Sequence, residues 1–259
     1  MPVTAPVSAN PLQAFYENAD VPRNSVPDRA HRQARMLAEV LRHHAGSAVI
    51  IDVGCGDGAP LAVATQQNPA HRFAGLDWSA AALQRARGLA LTVLRAGLDP
   101  PGLPIADGVA DVVIMSELIE HLVDPDWAVA EVRRVLRPGG SLLLSTPNLA
   151  AWYNRGLLAF GFQPVFSEVS LRGVYGRPGR VVAGHLRLFT RRALAEFLAA
   201  SGFRCVRIAG AAYHDTPRSL RPLDRAFCRW PAAASILLVH ATKAGDVGTG
   251  HQGYPTTST

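Results

Sequence analysis

The chain has 259 residues, of which 48% are hydrophobic and 18% are charged, and this composition is typical of a globular protein with a large buried core. No apolar run approaches the roughly 20 residues that span a bilayer, and the first residues, "MPVTAPVSANP", lack the basic and apolar regions of a secretory signal. The formal net charge of +6 comes almost entirely from dispersed arginines, because Lys243 is the only lysine, and this pattern argues against a nucleic-acid surface.

Three scattered cysteines exclude a disulfide framework and indicate a reducing, cytoplasmic setting. Residues 1–27 are rich in proline and are interpreted as an N-terminal cap segment. Residues 28–45 have the apolar spacing of an amphipathic helix.

Strands and helices then alternate along the chain. The predicted strands are "AVIIDVG", "RFAGLD", "LTVLRAG", "ADVVIMS", "SLLLSTP", "FRCVRIAG" and "SILLVHATK". The helices predicted between them are "APLAVATQQNP", "SAAALQRARG", "DPDWAVAEVRRVLRPGG" and "TRRALAEFLAASG". This alternation predicts an α/β fold: a doubly wound, Rossmann-like sheet of seven strands with helices on both faces.

Residues 148–188 interrupt the alternation after the fifth predicted strand. The segment is long, mixed in character and rich in aromatic residues, so it is predicted to be a lid over a substrate site. The alternative is an extension of the core in which the aromatic residues only pack. The domain is expected to cover residues 28–243, and the tail at 244–259 is expected to be disordered because it has almost no aliphatic content.

The first strand ends in a glycine-rich turn. Asp52 is followed by glycines at alternate positions of 54–58, a spacing that is neither the dinucleotide fingerprint nor a P-loop. Asp77 ends the second predicted strand, and carboxyl ends of neighbouring strands line the ligand crevice of a doubly wound sheet. An acid at this place can accept hydrogen bonds from two ribose hydroxyls, and Trp78 offers an aromatic face to an adenine.

At this point the chain resembles the class I S-adenosylmethionine-dependent methyltransferases, in particular those of small molecules. The resemblance lies in "IIDVGCGDG", "GLDWS", "ADVVIMSELIEHL" and "VLRPGGSLLLSTPN", in that order over about residues 47–148, and "HLRLFT" with "SGF" at 185–203 extends it. It implies S-adenosylmethionine as the cofactor. It assigns cofactor binding to Asp52, Gly54, Cys55, Gly56, Asp77, Trp78, Leu98, Asp99, Ser116 and Glu117.

One position departs from the family pattern. Many members have an aspartate after the third strand that contacts the adenine amino group, and Gly97 stands there in this chain. We expect the contact from Asp99, or from a backbone group.

The segment "SELIEHL" carries the candidate chemistry. Glu117, Glu120 and His121 would share one face of a helix. Three interpretations remain open from these residues. In the first, Glu120 and His121 are a surface pair without chemistry, and Glu117 stabilises a helix N-terminus. In the second, His121 is a catalytic general base. In the third, all three residues are ligands of a divalent cation.

This segment is similar to one in ubiquinone-pathway O-methyltransferases and in small-RNA 2′-O-methyltransferases. The latter use an E-x-x-E-H motif with a downstream histidine as metal ligands. The resemblance implies a site for Mg²⁺ or another divalent cation formed by Glu117, Glu120, His121 and His185. Such a cation would hold two acceptor oxygens and lower the pKa of one of them.

The predicted function is methyl transfer from S-adenosylmethionine to a small-molecule acceptor, at a hydroxyl oxygen, in natural product or cofactor metabolism. Glu117, Glu120 and His121 are the expected catalytic residues. We expect a cytoplasmic monomer or homodimer without a membrane or nucleic-acid partner. The alternatives are a metal-assisted RNA 2′-O-methyltransferase and a protein that binds S-adenosylmethionine without transferring methyl.

Overall fold

The computed structural model describes residues 27–42, 44, 46–98, 102–179 and 182–245. The predicted cap segment lies outside the described residues except for Pro27, and the predicted disordered tail lies outside them except for residues 244 and 245. Asp99 also lies outside them.

Seven strands form one sheet. They are β1 (Val49–Val53), β2 (Arg72–Asp77), β3 (Val93–Arg95), β4 (Ala110–Ser116), β5 (Leu136–Pro147), β6 (Phe203–Ala211) and β7 (Ile236–Lys243). The strand order is β3-β2-β1-β4-β5-β7-β6. The first five strands are parallel, whereas β7 pairs antiparallel with both β5 and β6.

Seven α-helices occur in the described part of the chain. They are α1 (Pro27–Leu41), α2 (Ala59–Gln67), α3 (Ala80–Gly88), α4 (Pro125–Val135), α5 (Trp152–Ala159), α6 (Arg191–Ala200) and α7 (Arg221–Phe227). Three helices begin at residues whose side-chain oxygen accepts a backbone N–H, the usual N-cap arrangement. These caps are Ser79, Asp124 and Thr190.

The sheet is covered on both faces, as predicted. Adjacent residues of β1 separate into two cores, because Ile50 packs with Leu37 of α1 whereas Ile51 packs with Val129 of α4 and Leu194 of α6. Successive side chains of a strand point to opposite faces, so strands that are apolar at both positions must lie between two helical layers. The doubly wound α/β fold predicted from the sequence is therefore confirmed.

Two element boundaries differ from the prediction. Helix α1 ends at Leu41 rather than near residue 45. Strand β5 begins at Leu136, inside the predicted helix, because Leu136 pairs with Ala110 across an irregularity in the register before Ser141 pairs with Val112. No described helix is long and apolar enough to cross a membrane.

The segment at 148–188 starts and finishes at one point of the fold. Asn148 and Phe189 form a β-bridge, and the backbone N–H of Leu149 donates to the carbonyl of Phe189 over 3.0 Å. Between these anchors lies α5, and the described residues that follow it, 160–179 and 182–188, form no further helix or strand. The lid role of this insertion stays a prediction.

Candidate active site

The strand order reverses between β1 and β4, which are neighbours although β2 and β3 lie between them in the chain. Ligands of open α/β sheets bind outside the carboxyl ends of the strands at such a switch point. The predicted site residues follow β1, β2 and β4 and therefore gather at this edge.

The turn after β1 needs glycine for different reasons at different positions. Gly54, Gly56 and Gly58 all have left-handed φ angles, of 76°, 57° and 77°. A methyl group on Gly58 would lie 2.6 Å from Leu91 Cδ1, and one on Gly54 would lie 2.9 Å from Leu118 Cδ1. A methyl group on Gly56 would meet no atom within 4 Å. Gly56 therefore leaves an open approach to the backbone, which a bound ligand can use.

Asp77 faces this turn from the end of β2. Its Oδ2 accepts the backbone N–H of Gly56 over 2.9 Å, and its Oδ1 accepts that of Ser79 over 2.9 Å. Burial raises the pKa of Asp77, and the bonds from Ser79 and Gly56 oppose the rise. Each oxygen keeps a further lone pair, so the carboxylate can still accept the two hydroxyls of a ribose.

Other predicted cofactor residues surround this pair. Asp52 is buried and accepts a hydrogen bond from Gln33 Nε2 of α1 over 3.1 Å. The carbonyl of Trp78 accepts from Arg95 Nε over 2.9 Å. Cys55 is buried, and burial raises the pKa of its thiol.

Two further predicted residues differ in placement. Leu98 packs in the main hydrophobic core. Ser116 ends β4 opposite Ser145 of β5. Their contacts with the cofactor stay predictions.

The segment "SELIEHL" is not the regular helix considered above. Only Ile119–His121 form a turn of 3₁₀-helix, and Glu117 before it has a left-handed φ of 52°. Left-handed backbone at a non-glycine residue is strained and clusters at functional sites. The consequence is that Glu117 does not share one helical face with Glu120 and His121.

Three of the four predicted metal ligands come together. One ligand atom each of Glu120, His121 and His185 lies within 4.8 Å of the others, and the two imidazole centroids are 4.7 Å apart. Glu117 is not a member of this group. We call the three residues the Glu-His-His cluster.

Backbone carbonyls fix both imidazole rings of this cluster. Nδ1 of His121 lies 3.1 Å from the carbonyl of Gly184, and Nδ1 of His185 lies 3.2 Å from that of Phe166. A carbonyl only accepts, so Nδ1 carries a proton in both rings, and Nε2 has a lone pair in whichever ring is neutral. Burial lowers the pKa of His185 to about 4, which keeps its ring neutral at physiological pH. Neutral imidazole with one nitrogen held by a carbonyl is the usual arrangement of a metal-binding histidine.

The carboxylate of the cluster is held just as firmly. Glu120 is completely buried, and its Oε2 accepts the hydroxyl of Thr146 over 2.9 Å. Its backbone carbonyl accepts the N–H of Leu186 over 2.8 Å, which joins the 3₁₀ turn to the segment that carries His185.

Sequence reasoning missed Glu168. Its buried carboxylate accepts the N–H groups of Gly184 over 2.7 Å and of His185 over 2.9 Å, and it also pairs with Arg177 over 3.2 Å. It therefore fixes the backbone on which His185 stands. The available signal was that Glu168 is the only acidic residue in the insertion at 148–188.

A second polar group lies beside the cluster. Oε1 of Glu117 is buried and accepts no hydrogen bond from any residue that the structure describes. Burial raises the pKa of both the Tyr153 and Tyr213 phenols, and the Glu117 carboxylate adds to the rise at each. The ring of Phe166 lies 5.0 Å from that of Tyr213 and 5.3 Å from that of His185, so it links this group to the Glu-His-His cluster.

Comparison with known proteins assigns this chain to a family. The model of the methyltransferase domain matches residues 28–208, which is most of the chain. The chain is a class I S-adenosylmethionine-dependent methyltransferase. A malonyl-[acyl-carrier protein] O-methyltransferase of Geobacter sulfurreducens is 31% identical over 198 residues, covering 74% of this chain and 70% of that protein.

A second curated relative and a solved structure are also similar to this chain. A Mycolicibacterium smegmatis protein, named for S-adenosylmethionine-dependent methyl transfer, is 35% identical over 119 residues, 45% of each chain. The chain spans only about a third to a half of the length of several curated relatives, this one included. The solved structure of the [4+2]-cyclase SpnF shares the fold, with a TM-score of 0.52 and 21% identity over 82% of this chain and 81% of that one.

Proposed function

We propose that this methyltransferase acts on a hydroxyl oxygen of a small-molecule acceptor, and that Glu120, His121 and His185 hold a divalent cation beside it. The observation that carries the proposal is the Glu-His-His cluster, in which one ligand atom from each of two imidazoles and from a buried carboxylate lie within 4.8 Å of one another. The Geobacter relative is named an O-methyltransferase, which supports oxygen as the nucleophile.

The donor set indicates which cation is suitable. Two imidazoles and one carboxylate suit Mn²⁺, Fe²⁺ or Zn²⁺, whereas Mg²⁺ prefers oxygen ligands alone. His185 needs no deprotonation to bind, because burial already keeps it neutral. When bound, such a cation would act as a Lewis acid on the acceptor hydroxyl.

The chain's own residues position the reactants. Gly56 and Asp77 hold the adenosyl part of S-adenosylmethionine, whose sulfonium supplies an activated methyl group. Burial raises the pKa of Tyr153 and of Tyr213, and these phenol groups are assigned with Glu117 to the acceptor side. Alignment of the nucleophile with the methyl group supplies much of the rate of such a transfer.

The acceptor proton can leave by one of two routes. In its neutral form His121 has a lone pair on Nε2, because Nδ1 faces the Gly184 carbonyl. With a cation bound, this nitrogen would be one of its ligands, and the acceptor would lose its proton to water. Without a cation, the same nitrogen would take the proton as a general base.

The test uses chelator-treated protein titrated with Mn²⁺ in a calorimeter. We expect one binding site per chain, no heat from Glu120→Gln, and normal heat from His240→Gln, a control on β7 outside the cluster. Release of S-adenosylhomocysteine should rise with added phenol, catechol or hydroxy-acid acceptors and fall at least about a hundredfold in Glu120→Gln.

Two outcomes would contradict parts of this proposal. Full turnover in the presence of chelator, together with no heat of Mn²⁺ binding, would exclude a cation from the mechanism. His121 would then be the general base. Binding of S-adenosylmethionine without S-adenosylhomocysteine release for any acceptor would favour a protein that binds the cofactor without transferring methyl.

A further inference from the structure

An apolar tip projects from the insertion at the end of α5. Residues 158–162 read "LAFGF" and contain no charged or polar side chain. Leu158 is 56% exposed, Phe160 is 82% exposed and Phe162 is 51% exposed. Phenylalanine is more often buried than exposed in soluble proteins, so two exposed rings in five residues require an explanation.

The backbone holds this tip in a defined shape. The N–H of Gly161 donates to the carbonyl of Leu158 over 3.0 Å, and the N–H of Phe162 donates to that of Leu157 over 2.9 Å. With Gly161 at a left-handed φ of 76°, this is the Schellman arrangement that ends a helix. The two rings are therefore exposed by a regular helix end, not by an irregular loop.

A third exposed ring lies near the tip. The backbone N–H of Gln163 donates to the carbonyl of Gly176 over 2.7 Å, which places Tyr175 beside Phe162. Tyr175 is 58% exposed. We call Leu158, Phe160, Phe162 and Tyr175 the aromatic tip.

The insertion that carries the aromatic tip has more basic than acidic residues. The insertion at 148–188 holds five arginines and a single acid, Glu168. Glu168 is buried and paired with Arg177, so it presents no negative charge to the surface. Arg172, near Tyr175, is exposed and forms no ion pair with a residue in the described ranges.

We propose that the aromatic tip docks on an anionic lipid surface. Exposed aromatic and aliphatic side chains enter the interface between headgroups and acyl chains, and arginines are attracted to anionic headgroups. A second protein chain fits less well, because a stable protein interface buries about 800 Å² on each partner, far more than four side chains at one helix end provide. Docking of this kind is peripheral and needs no membrane-spanning helix.

The test measures co-sedimentation of the full chain with vesicles and does not depend on methyl transfer. We expect binding to phosphatidylcholine vesicles that contain phosphatidylglycerol, at least fivefold weaker binding at high salt, and little binding to phosphatidylcholine alone. The double variant Phe160→Ser/Phe162→Ser should bind at least tenfold more weakly. Leu89→Ser, which replaces an exposed leucine beside the β3 edge of the sheet, should bind like the parent chain.

A charge variant distinguishes the contribution of arginine from that of the apolar side chains. Arg172→Gln should weaken binding to the phosphatidylglycerol vesicles a few-fold and leave binding to neutral vesicles unchanged. Heat from S-adenosylmethionine in a calorimeter, equal in all variants, shows that each is folded.

The proposal is overturned by any of three results. These are no binding of the parent chain to anionic vesicles, equal binding by the double phenylalanine variant, and light scattering that shows a dimer which the double variant dissociates. The last result would make the aromatic tip an interface between two copies of the chain.

Discussion

The backbone N–H of Gly56 donates a hydrogen bond to Oδ2 of Asp77 over 2.9 Å, so the turn after β1 is tied to the end of β2 before any ligand arrives. The same carboxylate that fixes the glycine turn is also the one that we propose binds the ribose of the cofactor. A site that is held in its binding geometry loses less conformational freedom when a ligand binds.

Replacement of Asp77 should weaken cofactor binding. We expect Asp77→Ala to lower the affinity for S-adenosylmethionine and for S-adenosylhomocysteine at least about tenfold, since a hydrogen bond to a charged group contributes about 1.5–3 kcal/mol. Calorimetry measures both affinities. Asp107→Asn, at an exposed carboxylate paired with Arg134, serves as the control, and unchanged affinity in Asp77→Ala would remove this residue from the cofactor site.

The glycines of the turn should respond differently to alanine. Gly58→Ala adds a methyl group 2.6 Å from Leu91 Cδ1 and 2.9 Å from Ala86 Cβ at a left-handed φ, so we expect a loss of about 2–4 kcal/mol in the free energy of unfolding. Gly56→Ala has the φ strain alone and should lose only about 1–2 kcal/mol.

Cofactor affinity should give the opposite order for these two variants. Gly56→Ala fills the open approach to the turn and should weaken S-adenosylmethionine binding more than Gly58→Ala does. Denaturant unfolding and calorimetry on the same preparations compare the two effects. Equal affinities would mean that the ligand does not approach at Gly56.

Glu168 should act on the Glu-His-His cluster from a distance. We expect Glu168→Gln to weaken Mn²⁺ binding about 10- to 100-fold, because the carboxylate fixes the backbone at Gly184 and His185 rather than the cation itself. S-adenosylmethionine affinity should not change. Parallel calorimetric titrations with Mn²⁺ and S-adenosylmethionine test this split, and a loss of both affinities would indicate general unfolding of the variant.

Acid should destabilise the protein through Asp111. Burial alone would raise the pKa of Asp111, but hydrogen bonds from the Val49 N–H and His44, together with the charge of Arg137, outweigh burial and hold this pKa below its ordinary value. The folded state therefore favours the carboxylate. This stability is present above about pH 4 and is lost as the pH falls through the lower pKa of the folded state.

Denaturant unfolding between pH 6 and pH 2.5 measures this loss. The free energy of unfolding of Asp111→Asn should be lower at pH 6 and should fall less steeply with acid than that of the parent chain. Parallel curves for the two proteins would contradict the assignment.

The sequence was informative where burial imposes a simple pattern. Strands such as β1 and β4 lie between two helical layers, so their apolar runs, the glycine turn and Asp77 could be placed from spacing alone. It was less informative where the backbone leaves regular structure. The helical alignment of Glu117 with Glu120 does not occur because Glu117 takes a left-handed conformation, which no periodicity indicates.

The contacts of Glu168 show a different limit. This residue meets Gly184 and His185 through an irregular stretch of the insertion, where neither a 3.6-residue nor a 2-residue period relates the partners. Its isolation as the single acid of the insertion was visible, but its partners depend on tertiary folding.

The bridge between Asn148 and Phe189 brings the two ends of the insertion together. Because the insertion leaves and returns to the fold at one place, a segment of another length or composition can be exchanged there. Under the proposed function, such an exchange would change the acceptor molecule without altering the residues at the ends of β1 and β2.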